Sequence, residues 1–335
     1  MGRSAAFARL VGRLGEALEV RRVQGHAGSG DLPPRALGVD LSGRGSVGAA
    51  FAMWRAVGEA VRTFAPDVVL TDGLDLPPVR APVVAVVRDL VGTGWDVVGG
   101  ARGWRVRARR CAALVVPHDL VRRDLTDVGV DPFRVTVIPE LVDLPARLLP
   151  PPVAEDVVTL LHPGAIHPAK GQHLSIDAVS RLSAEDKARV RLVVAGPATN
   201  PRYLAQLKVA ASGQPVSFVT EETARTWPEL LASCRVVLYP TSLDEGCPDA
   251  ALLAMAHGLA VLAPDRPTLR DQLGPGAILL PPGHVTAMRD TLSDVLAGRL
   301  DPAPIGREGA AFVAERHGWP AVWQRYRTLL ASVVR

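Results

Sequence analysis

Almost every apolar run in this chain is short and rich in valine, and is followed by a stretch with helical periodicity. The series reads AFARLVGRLGEAL, EVRRV, AAFAMWRAVGEAVRTF, DVVLTD, VVAVV, ARGWRVRARR, ALVV, HDLVRRDLTDVG and RVTVI. Short buried-type strands alternating with amphipathic helices predict parallel βα units with helices on both sheet faces. After the proline-rich stretch ARLLPPPVAED the alternation restarts with VVTLLHPG, HLSIDAVSRLS, RVRLVVAGP, PRYLAQLKVAA, VSFV, TWPELLAS, RVVLYPTS, a helix from Pro248, LAVLAP, ILLPP and MRDTLSDVLAG. The expected class is α/β with two Rossmann-like lobes facing each other across a cleft, over residues 1–149 and 150–318. Residues 319–335 are expected to form a C-terminal helix that crosses back to the first lobe. Ligands of open α/β sheets sit at the carboxyl ends of the strands, so chemistry is expected in those loops and in the cleft.

Composition narrows the setting. No apolar run approaches the ~18 to 20 residues of a membrane helix, and the start lacks a charged head followed by an apolar core, so a cytoplasmic protein is expected. Cys111, Cys234 and Cys247 are scattered, with no C-x-x-C pair, which suits reduced thiols rather than zinc or redox chemistry. The net charge is +4, and all of it falls before Pro150. That excess hints at an anionic partner or membrane surface and falls short of a nucleic-acid-binding signature.

Two loops of the second lobe carry the sharpest signals. In YPTSLDEGCPDAALLAMAHG a buried strand opens into a polar loop and then a helix. Pro248 and Asp249 can occupy that helix's first turn, leaving free N–H groups and a positive dipole end for a phosphate. Glu245, just ahead, suits ligand hydroxyls better than phosphate, although an ordinary loop with an N-terminal acid would look the same. In LLHPGAIHPAKGQH, Lys170 and Gly171 precede a helix beginning near His173. A cation at a helix start faces the positive dipole end, so a nearby anionic ligand explains Lys170 better than solvation alone. His162, His167 and His173 are five and six residues apart across this loop, which matches no helical metal-ligand pair.

Taken in order, FAPDVVLTDG, VVAVVRDL, ALVVPHDLVRRDLTDVGVDPFRVTVIPELVD, the Lys170–Gly171 loop, LVVAGP, WPELLASCRVVLYPTSLDEGCPDAALLAMAHG and the closing tryptophan helix resemble a GT-B glycosyltransferase of the large retaining family 4, the group 1 glycosyl transferases. The resemblance implies transfer of a sugar from a nucleotide-sugar donor in the second lobe to an acceptor hydroxyl in the first, with retention and without a catalytic metal or other cofactor. It implies Glu245 and Lys170 as the catalytic pair. Its donor set is Gly164, Lys170, Gly171, Gly196, Thr241, Ser242, Glu245, Gly246, Cys247, Pro248, Asp249 and the Leu253 position. Lys170 would meet the donor diphosphate, Glu245 the sugar, and Gly246, Cys247 and Pro248 the phosphate region through the backbone.

The donor side departs from that pattern. Leu253 stands where the second motif glutamate would hold the ribose, and Ala165 stands where an arginine commonly meets phosphate. Losing two hydrogen bonds to charged groups, at roughly 1.5 to 3 kcal/mol each, would weaken donor binding by about two to four orders of magnitude. The alternative to an active transferase is therefore a catalytically impaired binding or partner subunit. The chain also starts almost inside its first helix, so an initial strand is absent or lies upstream.

In the first lobe, Arg88, Asp89 and His118 follow buried strands and are expected at the carboxyl edge as acceptor contacts, with Asp89 or His118 able to relay a proton. Loop capping by these groups and a satisfied histidine are the competing explanation. The acceptor class stays open among small molecules, glycans and lipid-linked hydroxyls. GGARGWRVRARR places Arg102, Arg105, Arg109 and Trp104 on one helix, which could make peripheral contact with an anionic membrane or be a solvated face. SGRGSVG contains a Gly-x-Gly-x-x-Gly string but makes a poor dinucleotide fingerprint, and is expected to be a loop entering a helix.

Overall fold

The computed structural model describes residues 3–26, 36–40, 46–74, 77–88, 100–148, 157–220, 226–243 and 248–334. The chain divides into two compact units, one running to Leu141 and taking in the chain from Val322 onward, the other spanning Val142–Ala321.

The first unit opens with helix α1 (Arg3–Leu14) and strands β1 (Arg22–His26) and β2 (Ala36–Asp40), which pair in parallel. Helix α2 (Ser46–Phe64) follows, then β3 (Val69–Asp72), β4 (Val83–Val86), helix α3 (Gly100–Ala108), β5 (Ala113–Val116), helix α4 (Asp119–Asp127) and β6 (Val135–Val137). Strands β3 to β6 form a parallel sheet in sequential order. Val83, Ala85, Leu114 and Val116 build its core with Trp104, Ala108, Val121 and Leu125 from the covering helices. Trp104 is therefore a core residue, 4% exposed, and does not belong to the arginine face of α3. In SGRGSVG, Ser46 opens α2 and residues 41–45 lie outside the described set.

The second unit runs β7 (Val158–Pro163), α5 (Gln172–Ser180), α6 (Ala184–Ala188), β8 (Val190–Ala195), α7 (Pro201–Ala210), β9 (Val216–Val219), α8 (Thr226–Ser233), β10 (Val236–Leu238), α9 (Asp249–Ala256), β11 (Ala260–Pro264), α10 (Pro267–Leu273), β12 (Ala277–Leu280), α11 (Val285–Leu296) and α12 (Pro302–His317). Helix α13 (Trp319–Val333) follows, and its chain from Val322 belongs to the first unit. The all-parallel sheet has the order β12-β11-β10-β7-β8-β9. That is the doubly wound Rossmann order, and its direction reverses between β7 and β10, where Leu160 and Leu161 pair with Val236 and Val237. Strands buried on both faces explain the continuous apolar runs, because one face packs with α9 and α12 and the other with α5, α7 and α11.

Helix starts follow their chemistry. Asn200 accepts from the Tyr203 amide ahead of Pro201, and Asp301 accepts from the Ala303 amide ahead of Pro302. Cys111 and Cys234 are free thiols in the two cores, and burial pushes them up to about 11 and about 12. Among the described residues no helix is long and apolar enough to cross a membrane.

The backbones of the loops after β7 and β8 touch. A Cβ at Gly196 would lie 1.9 Å from the Gly164 carbonyl oxygen, so only glycine fits. Gly196→Ala is expected to destabilise the protein by about 2 kcal/mol or more and lower Tm by roughly 4 to 8 °C. Gly58→Ala, in the open middle of α2 with nothing within 4 Å of the new Cβ, should instead stabilise slightly. Thermal unfolding of both variants checks the pair.

Candidate functional site

The reversal between β7 and β10 places two loops side by side at one sheet edge. After β7 the chain makes a 3₁₀ turn, Pro168–Lys170, opened by His167, whose Nδ1 accepts from the Ala169 amide. After β10 the chain continues through Tyr239, Pro240, Thr241 and Ser242. Among the described residues the two are bonded through the Ala169 carbonyl. The Ala169 carbonyl oxygen accepts from the Ser242 amide at 2.9 Å, the Ser242 hydroxyl at 3.1 Å and the Thr241 hydroxyl at 3.3 Å. Gly171, in the left-handed region at φ 78°, lies so close that a Cβ would be 2.2 Å from the Pro240 carbonyl oxygen. Lys170 is carried at this junction, with Nζ 5.8 Å from the centre of the Tyr239 ring.

Thr241 is bonded within these loops. It is 2% exposed, and its hydroxyl donates to Ala169 while accepting from the Leu243 amide at 3.1 Å.

Beneath the turn lie buried polar side chains. His162, 1% exposed on β7, has Nδ1 2.8 Å from the Ser175 hydroxyl of α5. Burial, reinforced by the Lys170 charge, pushes its pKa down to about 3, so the ring is neutral. Gln172 donates to the Ala165 carbonyl at 2.9 Å. At the start of α5, the Tyr203 hydroxyl accepts from the His173 amide at 3.1 Å and lies 2.8 Å from His173 Nδ1. The three histidines thus serve separate local bonds. Among the described residues no group of three or more His, Cys, Asp or Glu is placed to hold a metal ion.

Helix α9 begins after Pro248 with no side-chain cap, and Asp249 occupies its first turn. Leu253, one turn on, is half-buried against the core formed with Leu252, Ala254 and Met255. Glu245, Gly246 and Cys247 lie outside the described residues.

The first unit holds a cluster that the sequence reading found only in part. Arg88, two residues beyond β4, bonds Asp72 at the end of β3 through Nη1 at 2.7 Å and Glu140 beyond β6 through Nε at 3.0 Å. Asp72 closes DVVLTD, a strand-end position that could have marked it. Glu140 follows an irregular connection after β6 and carried no pattern. Tyr326 of α13 is buried beside these charges, and its phenol is pushed up by burial and then by Glu140. His118 caps α4, accepting from the Leu120 amide at 3.2 Å. Asp89 lies outside the described residues, and so does the side chain of Arg102. Arg105 and Arg109 are exposed on or just after α3, and Arg105 donates through Nε to the Val128 carbonyl.

Residues 157–298 match the family model for glycosyl transferases group 1. A D-inositol 3-phosphate glycosyltransferase of Geodermatophilus obscurus is 31% identical over 234 residues, which cover 62% of this chain and 48% of that one. The chain therefore spans about half the length of that relative. Sucrose-phosphate synthase from Thermosynechococcus elongatus superposes with a TM-score of 0.79 at 16% identity, covering 99% of this chain and 94% of that one. Anabaena HepE, crystallised with UDP, superposes with a TM-score of 0.71 at 17% identity, covering 89% and 86%. The chain resembles the group 1 glycosyltransferases, and its fold is GT-B. Within this GT-B chain, the matched segment contains the whole β7–β10 junction.

The depressed His162 pKa has a stability consequence. The unfolded chain protonates this histidine near its ordinary value of about 6.5 while the folded chain does not, so stability falls as pH drops below that value. Between pH 7 and pH 5, wild type should lose about 2 kcal/mol relative to His162→Phe, read from urea unfolding at each pH.

Proposed function

We propose that this chain is a glycosyltransferase that moves a sugar from a nucleotide-sugar donor to an acceptor hydroxyl, with retention of configuration. The observation that carries the reading is the bonded junction of the β7 and β10 loops, which presents Lys170 at the topological switch point of a Rossmann-like unit. Such a point is where phosphorylated ligands bind. The start of α9, the next helix after β10, offers backbone N–H groups and a positive dipole end of the same polarity. A HepE structure contains UDP-glucose, and the Geodermatophilus relative is named for glycosyl transfer, which supports a nucleotide-sugar donor.

In this mechanism the bond between sugar and diphosphate breaks, and Lys170 with the α9 terminus stabilises the charge that develops on the leaving phosphate. Glu245 holds the sugar hydroxyls, and Gly246, Cys247 and Pro248 line the phosphate through their backbones. The acceptor hydroxyl attacks from the side the leaving group vacates, with Asp89 or His118 relaying its proton. Arg88, committed to Asp72 and Glu140, shapes the first-unit sheet edge that receives the acceptor. Peripheral membrane contact at the cytoplasmic face would run through Arg102, Arg105 and Arg109 of α3 and the residues after it.

Leu253 favours a second reading. Its half-buried place against the α9 core leaves no carboxylate where the resemblance puts the ribose contact, which suits a binding or partner subunit. Calorimetric titration with UDP, GDP, UDP-glucose and related donors separates the two. The transferase reading expects one donor to bind at micromolar strength and Lys170→Ala to weaken it by about 10- to 100-fold. No binding by wild type, with affinity gained in Leu253→Glu, would favour the second.

A further inference from the structure

Leu160 and His162 alternate on the face of β7 that α5 covers, and Leu160 is part of the core there. His162 thus occupies a position whose pattern calls for another aliphatic side chain. Burying an imidazole costs free energy unless its polar atoms are used, so its presence asks for a local reason. The reason lies in what surrounds it. One ring nitrogen meets Ser175 on α5, whose own amide bonds the Gly171 carbonyl at the end of the Lys170 turn, and the Lys170 charge helps keep the ring neutral. One turn earlier on the same helix, the fully buried Gln172 reaches back to the Ala165 carbonyl. The loop that carries Lys170 is therefore held from beneath by buried polar side chains and from the side by Thr241 and Ser242. A neutral ring suits the place, because a cation under the start of α5 would oppose both the helix dipole and Lys170.

We infer that His162, acting with Ser175, is a positioning residue for Lys170, fixing the turn whose lysine meets the donor diphosphate. The inference rests on the donor reading given above, and two readouts keep them apart. The first needs no ligand. The Lys170 and Gly171 amides bond the His167 and Pro168 carbonyls within the turn, so their hydrogen exchange reports whether it is held. His162→Phe is expected to speed exchange in the 164–171 segment by about tenfold while distant segments of the second unit stay protected.

The second readout is UDP titration of wild type, His162→Phe, Lys170→Ala and the double variant. His162→Phe should weaken UDP by about tenfold in the wild-type background and by less than about twofold when Lys170 is already gone, because the two act through one contact. His162→Asn, which keeps a hydrogen-bonding nitrogen, should recover part of the loss. If His162→Phe fails to fold, Ser175→Ala removes the partner hydroxyl and carries the same expectations. Unchanged exchange in the 164–171 segment overturns the inference. Equal weakening in both backgrounds overturns it too, since that marks a general packing defect. Faster exchange in a protein that binds neither UDP nor any other nucleotide supports the hold on the turn and overturns the donor reading instead.

Discussion

The candidate site depends on one carbonyl oxygen. Ala169 accepts three hydrogen bonds from the loop after β10, and this joins two segments that are about 70 residues apart in sequence. Parallel strand order creates the opportunity, because only at a reversal of winding do two such loops flank an open crevice. The close approach of Gly171 to Pro240 then leaves the turn little freedom. Lys170 is presented by a braced backbone rather than by a mobile loop, and a braced cation is what electrostatic stabilisation of a leaving phosphate requires.

Much of this was readable from the chain. The strand runs had the length and β-branched content of buried parallel strands, and the Lys170 and Pro248 loops fell at strand ends where an open sheet exposes them. Helices α6 and α10 were not read, because AEDKA and PTLRDQL are too short to show a helical period. The Arg88 cluster was half visible. Its arginine stood at a strand end, but Asp72 and Glu140 become partners only when three strands are laid side by side. Trp104 misled for a related reason, since a tryptophan among arginines has the look of an interfacial helix until the sheet covers it. The spacing of His162 argued against a metal ligand but did not show its bond to Ser175, which depends on α5 packing across β7.

The two units use charge differently. In the second, the Lys170 ammonium lies 5.8 Å from the centre of the Tyr239 ring, and the nearby His162 is kept uncharged by burial. In the first, the buried Arg88 is balanced by the buried Glu140 and the partly exposed Asp72. A buried arginine between acids gives geometry more than stability, since desolvation offsets much of the attraction. In the proposed reading the Lys170 junction meets a negative ligand, while the carboxylates around Arg88 hold the first-unit edge in shape. Leu253 marks where the chain departs from the resemblance while keeping the scaffold, and it does so by adding apolar surface to the α9 core.

The most direct measurement is a crystal structure of the protein with UDP. The account predicts the diphosphate at the junction of the β7 and β10 loops, with an oxygen about 3 Å from Lys170 Nζ and others facing the first amides of α9. A diphosphate bound away from that junction, or a nucleotide held with Lys170 turned to solvent, would contradict it.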